Sequence, residues 1–263
     1  MFDKTKTYKV YKYFKYNDHL KHVLLDKYLW FSGHKELNDP LEFKVKYTRD
    51  KNSIKYSADS FVKIISKLEP YKNSPEAVEG SRMMLNDYPE LMEVFYRHHF
   101  ESESNKLGIY CFSEVPNDIL MWSHYADSHK GVLIEFDLVK LFTTLRNKNK
   151  GIAFEFDSIN YVNCLPELNI GLIHKDEIRA EFKKMFFTKL DKWKYEREFR
   201  LLSTIKGKIS FDTKSITGII KGCKMPSEIS NSFTALINKM ETSPDLKIKS
   251  AKLNCENGEI YFE

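Results

Sequence analysis

Two stretches of the chain gather side chains able to do chemistry. The first is Trp193-Lys194-Tyr195-Glu196-Arg197-Glu198-Phe199-Arg200. Side chains alternate along an extended run, so an extended 196–200 puts Glu196, Glu198 and Arg200 on one face. Two carboxylates beside a guanidinium suit acid/base work or a grip on ribose hydroxyls. Like charges raise one carboxyl pKa, and the arginine counters that rise. The same residues also make a ladder of paired charges on an edge strand. Spacing alone leaves both readings open.

The second stretch is Leu120-Met121-Trp122-Ser123-His124-Tyr125-Ala126-Asp127-Ser128-His129-Lys130-Gly131. On a helix Met121, Trp122 and Tyr125 share one side, which suits either the core or a ring-bearing ligand. His124, Asp127 and His129 have the residue types of a metal site for a nuclease or phosphodiesterase. However, the five-residue step from His124 to His129 crosses the helix end, and no third histidine follows nearby. A capping or core histidine fits the pattern better. The turn Asn38-Asp39-Pro40-Leu41-Glu42 shapes a loop, since proline fixes φ and Asx side chains bond nearby backbone. Arg97-His98-His99 reads as a solvated helix face. The chain contains no GxxxxGK[ST], GxGxxG or GxSxG, so P-loop, dinucleotide-fold and hydrolase-elbow readings fall.

The elements that must position these residues alternate irregularly. Strands are expected at 8–13, 28–32, 107–113, 131–136, 152–162, 198–203 and 215–223, with edge strands from Lys247. Helices are expected at 19–27, 119–126 and 226–240, and the apolar spacing over 176–192 predicts an amphipathic one. A helical insertion spans about 57–104, broken by Pro70 and Pro89. Short strands mixed with helices favour an α+β fold with a mixed, largely antiparallel sheet, in one domain over residues 1–263.

Composition bounds the rest. Apolar residues at 42% and aromatics at 14%, with 15 Tyr and 19 Phe, exclude a disordered chain. The net charge of +5 is too mild to declare a nucleic-acid binder. Residues 1–56 nevertheless hold 13 Lys/Arg against 7 Asp/Glu. That excess is either a solvated face or a lining for an anionic ligand. Four cysteines without a CxxC pair point to free thiols in a reducing cytoplasm. The first residues lack a signal-peptide apolar region, and no apolar run reaches the ~18 residues of a membrane span.

The blocks YKY at 11–13 through LWFS…LNDPLE, CFSE…NDILMWSHYADSHKGVLIEFD and WKYEREFR together resemble the prokaryotic family known as domain of unknown function 2971. Their order also resembles, remotely, that of the ADP-ribosyltransferase superfamily. That resemblance implies a first-strand site at Tyr11-Lys12-Tyr13, a second at Ser113 and a catalytic carboxylate pair at Glu196 and Glu198. Lys12 stands where those enzymes have His or Arg, and a lysine holds phosphate as a point charge rather than a planar fork.

The resemblance implies NAD as substrate. Glu198 would stabilise the oxocarbenium-like ribose and Glu196 would serve the acceptor. Tyr13, Trp122 or Tyr125 would stack a ring, and Lys12 and Arg200 would neutralise the diphosphate. It further implies a toxin or phage-defence effector acting on protein or nucleic acid, held by an antitoxin or regulatory partner. The competing expectations are the metal-dependent nuclease above and a non-enzymatic nucleic-acid or protein-binding module.

Overall fold

A computed structural model of the chain describes residues 8–48, 74–88, 90–169, 183–241, 244 and 246–263. The chain divides into two compact units. Unit one comprises 1–37, 107–159 and 191–263, and unit two comprises 38–106 and 160–190.

Among the described residues fourteen strands run in chain order. They are β1 (Lys9–Phe14), β2 (Tyr28–Phe31), β3 (Lys46–Thr48), β4 (Gly108–Ser113), β5 (Val132–Asp137), β6 (Phe154–Ser158) and β7 (Asn160–Val162). There follow β8 (Glu167–Asn169), β9 (Thr188–Leu190), β10 (Glu198–Ser203), β11 (Gly207–Ser210), β12 (Ile216–Lys221), β13 (Lys247–Leu253) and β14 (Ile260–Phe262). The α-helices among the described residues are α1 (Asp18–Lys21), α2 (Pro75–Asp87), α3 (Glu90–Ser104), α4 (Ile119–Tyr125), α5 (Leu138–Lys148) and α6 (Ser227–Ile237).

Unit one is built on an eight-stranded sheet in the order β14-β13-β12-β5-β1-β4-β10-β6. Its pairings are antiparallel except for β12 with β13. This is the mixed, largely antiparallel α+β architecture that the sequence predicts. The central strands GIYCFS, VLIEFD and EFRLLS are nearly continuous runs of buried residues, because both sheet faces are covered.

One face carries Val10, Phe14, Tyr110, Phe112, Ile134, Phe136, Phe199 and Leu201, packed with residues of α5 and α6. The alternate positions Tyr13 and Leu133 join Met121 and Trp122 of α4 in the second cluster. Asp137 ends β5 and caps α5, accepting from the Val139 and Lys140 amides at 3.0 Å. The segment expected as one helix at 19–27 is α1 continued by a π-turn over His22–Asp26, and Lys27 closes it at φ +57°.

Unit two contains α2, α3 and two short parallel pairs, β3 with β8 and β7 with β9. The first part of the expected insertion, including Phe61, Ile64, Ile65 and Leu68, lies outside the described residues. The helix expected at 176–192 is corrected over its second half. Residues 183–186 are helical, but Thr188–Leu190 is strand β9 and Asp191–Glu196 a 3-10 helix. Pairing of Asn160 with Thr188 and of Val162 with Leu190 overrides the helical spacing.

Candidate active site

The middle of the large sheet brings several predicted residues into one line. Tyr11 on β1 is in register with Ser113 on β4, and Ser113 with Glu198 on β10. Cys111 on β4 likewise faces Arg200. The Arg200 Nε donates to the Glu198 Oε1 at 2.7 Å, with the two side chains 0% and 3% exposed. Burial, then the Glu198 charge, pushes the Cys111 thiol pKa far up, and the two side chains are hydrogen-bonded. Glu198 and Arg200 thus form a solvent-excluded pair between β4 and β6, which corrects the surface-ladder reading.

Glu196 does not continue that strand. It ends the 3-10 helix Asp191–Glu196, and Arg197 turns the backbone with φ +41°. Glu196 is therefore brought in by a turn rather than by strand alternation. Its Oε1 accepts the Tyr125 hydroxyl at 2.5 Å, and its carbonyl accepts the Ser113 hydroxyl at 2.8 Å.

Two of the predicted ring-stacking residues are packed into the core. Trp122 is fully buried, its indole N–H donating to the Pro116 carbonyl at 2.8 Å. Tyr13 packs edge-on against it at 5.4 Å and donates to the Val115 carbonyl at 2.9 Å. Both rings are buried in the core, with hydroxyl and indole N–H spent on backbone carbonyls. The Tyr11 hydroxyl is hydrogen-bonded to Glu135, and burial, then that carboxylate, raises its pKa to about 12.

Between β1 and β4 the sheet opens. Their backbone register consists of the single pair Tyr11↔Ser113, and farther along β4 Ile109 pairs with Ser32 instead. Lys12 bridges the gap. Its Nζ donates to the Cys111 carbonyl at 2.7 Å and stands 4.8 Å from the centre of the Tyr110 ring. A cavity of about 290 Å³ occupies this wedge.

Across from Lys12 the cavity wall holds Tyr28, stacked on His22 at 4.9 Å, and Trp30, which is 43% exposed. Lys208 lies over the Tyr28 ring at 4.8 Å. Tyr125 also lines the cavity and connects it to Glu196.

Of the predicted residues, Lys12, Tyr13 and Tyr125 line this cavity. Tyr11, Ser113, Trp122, Glu196, Glu198 and Arg200 do not. The reading of the sequence missed Tyr28, Trp30, Tyr110 and Cys111. Alternation within YLWF already places Tyr28 and Trp30 on one face of β2. Nothing local in GIYCFS marks Tyr110, because the cavity is created by the splaying of β1 from β4.

The alternative cluster does not assemble. His124 is exposed beside the Tyr125 and Tyr195 rings, whereas His129 is buried. Asp127, Ser128 and His129 lie successively at φ +48°, +52° and +71°. Among the described residues no group of three or more His, Cys, Asp or Glu side chains is placed to hold a metal. Asp39 shapes its loop as expected, accepting from the Leu41 amide at 2.9 Å. Among the described residues no helix is long and apolar enough to cross a membrane.

No curated protein and no solved structure matches the chain significantly. Residues 121–201, which run from within α4 to within β10, match the family model described as a protein of unknown function (DUF2971).

Proposed function

We propose that unit one binds a nucleotide-class ligand, one that joins an aromatic ring to phosphate groups, in the wedge between β1 and β4. The observation that carries this reading is the cavity itself. Aromatic side chains wall it, and the Lys12 ammonium stands in it with no carboxylate at ion-pair distance among the described residues. A concave site with flat apolar walls and a few convergent polar groups suits such a ligand.

NAD is the ligand that the ADP-ribosyltransferase resemblance implies. The reaction we propose breaks its nicotinamide–ribose bond, releases nicotinamide and joins the ribose to a nucleophile of a protein or nucleic-acid acceptor, which gives up its proton. A carboxylate near the ribose lowers the barrier by opposing the positive charge that develops there. Glu196 is the carboxylate coupled to the cavity wall, through Tyr125. Glu198 does not line the cavity, and its charge is matched by Arg200. We assign Glu196 to the ribose and Glu198 to holding the strand and Cys111 in place. The four free cysteines support a reducing, cytoplasmic setting.

Calorimetric titration with NAD, ADP and adenosine tests the binding, and release of labelled nicotinamide in the presence of cell extract tests the chemistry. The expected result is NAD binding that Lys12→Met weakens about tenfold or more, as for loss of a charge-assisted contact. Nicotinamide release should be abolished by Glu196→Gln. Absence of binding by all three compounds refutes the nucleotide reading. Binding without release, whatever the extract, makes the protein a ligand-binding module and removes the transferase.

A further inference from the structure

Tyr110 lies on β4 beside the cavity, and its side chain is 5% exposed. Its ring is fixed by Phe31 at 5.6 Å and Phe112 at 4.9 Å. The hydroxyl is buried and has no hydrogen-bond partner among the described residues. A buried polar atom left unsatisfied costs about 1–3 kcal/mol, so folded proteins rarely keep one without a use. Packing does not need this oxygen, since a phenylalanine would fill the same space.

Lys12 stands over the same ring at 4.8 Å. An ammonium carries three N–H donors. Here one is given to the Cys111 carbonyl. Two donors of different kinds, a buried hydroxyl and an ammonium over the ring that bears it, therefore belong to residues lining one cavity. Burial keeps the phenol protonated well above its ordinary range, so at neutral pH it remains a donor. What this pair lacks is an oxygen-rich acceptor carrying negative charge.

We infer that Tyr110 and Lys12 form a phosphoryl-binding pair, in which the Tyr110 hydroxyl and the Lys12 ammonium receive phosphate oxygens of the ligand at the β1/β4 seam. This rests on the cavity being the ligand site proposed above, and it makes Tyr110 the residue that separates phosphorylated from unphosphorylated ligands. The ring-bearing part of the ligand then extends toward Tyr28 and Trp30. A lysine is a compact point charge that suits a phosphate, and the fixed hydroxyl adds the direction that a lysine lacks.

The test is calorimetry on the full chain with inorganic pyrophosphate, ADP and adenosine, comparing wild type with Tyr110→Phe and Lys12→Met. Wild type binds ADP at least about tenfold more tightly than adenosine, and pyrophosphate competes with ADP. Tyr110→Phe keeps adenosine affinity, loses about tenfold for ADP and pyrophosphate, and melts at or above the wild-type temperature. Lys12→Met weakens both anions without touching the tyrosine.

Unchanged anion binding by Tyr110→Phe, or no pyrophosphate binding by wild type, overturns the proposal. If pyrophosphate binds through Tyr110 while NAD, ADP and adenosine do not, the anion pair stands and the nucleotide reading falls. If NAD binds equally to wild type and Tyr110→Phe, the nucleotide reading stands and the pair falls.

Discussion

The buried pair Glu198–Arg200 shows how a residue can attract a catalytic reading and serve the fold. Charges withdrawn from water are tolerated only when matched, and here the match is a 2.7 Å contact with neither side chain in solvent. Removing one partner strands the other. Glu198→Gln and Arg200→Met should each lower unfolding free energy by about 3–5 kcal/mol. The double variant should lose less than the two losses added, since no isolated charge remains. Urea denaturation of the three variants checks this, and fully additive losses would show that the pair is not coupled. Loss of activity in Glu198→Gln therefore has to be judged beside its stability, whereas Glu196→Gln changes a residue joined to the cavity wall through Tyr125. The shared face of Glu198 and Arg200 was legible from strand alternation. Their burial was not, because it depends on β10 lying inside the sheet between β4 and β6 with its faces covered by distant parts of the chain.

Glycines separate two kinds of element. At Gly131, before β5, an added Cβ would stand 2.1 Å from the Phe14 carbonyl oxygen. Gly131→Ala should destabilise by about 1–3 kcal/mol, because backbone rather than a flexible side chain must move. Gly80 lies inside α2 with nothing within 4 Å of such a Cβ. Gly80→Ala should stabilise by about 0.5–1 kcal/mol, the difference in backbone freedom lost on helix formation. Thermal melts of the two variants should therefore move in opposite directions. The same contrast between local and distant causes explains the elements themselves. The apolar spacing of α5 and the Asp137 cap lie close together in sequence, so the signals for that helix are local, although the sequence analysis did not assign it. Strand β9 is not, because its partner β7 lies 28 residues away.

At the scale of the molecule, His129 links the fold to pH. Burial, then the nearby Lys224 charge, holds its pKa below the ordinary histidine value of about 6.5. The unfolded chain then binds a proton more readily than the folded one. Stability from this group is present above about pH 6.5 and is lost as pH falls toward the lower folded value. His129→Asn keeps a residue type that tolerates the observed φ of +71° and removes the titration. The stability advantage of wild type over His129→Asn should shrink between pH 7.5 and pH 5.5 in urea titrations. A constant difference would mean that His129 does not sense pH.

Composition, alternation and capping residues determined by themselves that this chain builds a mixed α+β sheet with Tyr- and Lys-bearing strands. These are contacts between residues close in sequence, and their periods survive in the one-dimensional text. The blocks around α4 and β10 also fall within residues 121–201, the part of the chain that matches the DUF2971 family model. Only the tertiary structure decided which of those side chains face a ligand. Tyr13 and Trp122 carry flat rings suited to stacking, yet the fold spends them on the core. Tyr110 looks like one more core aromatic, yet it borders the wedge where β1 leaves β4. The reason is physical. A cavity is a gap between elements distant along the chain, and its lining is settled by how strands part rather than by the spacing of residues within either one.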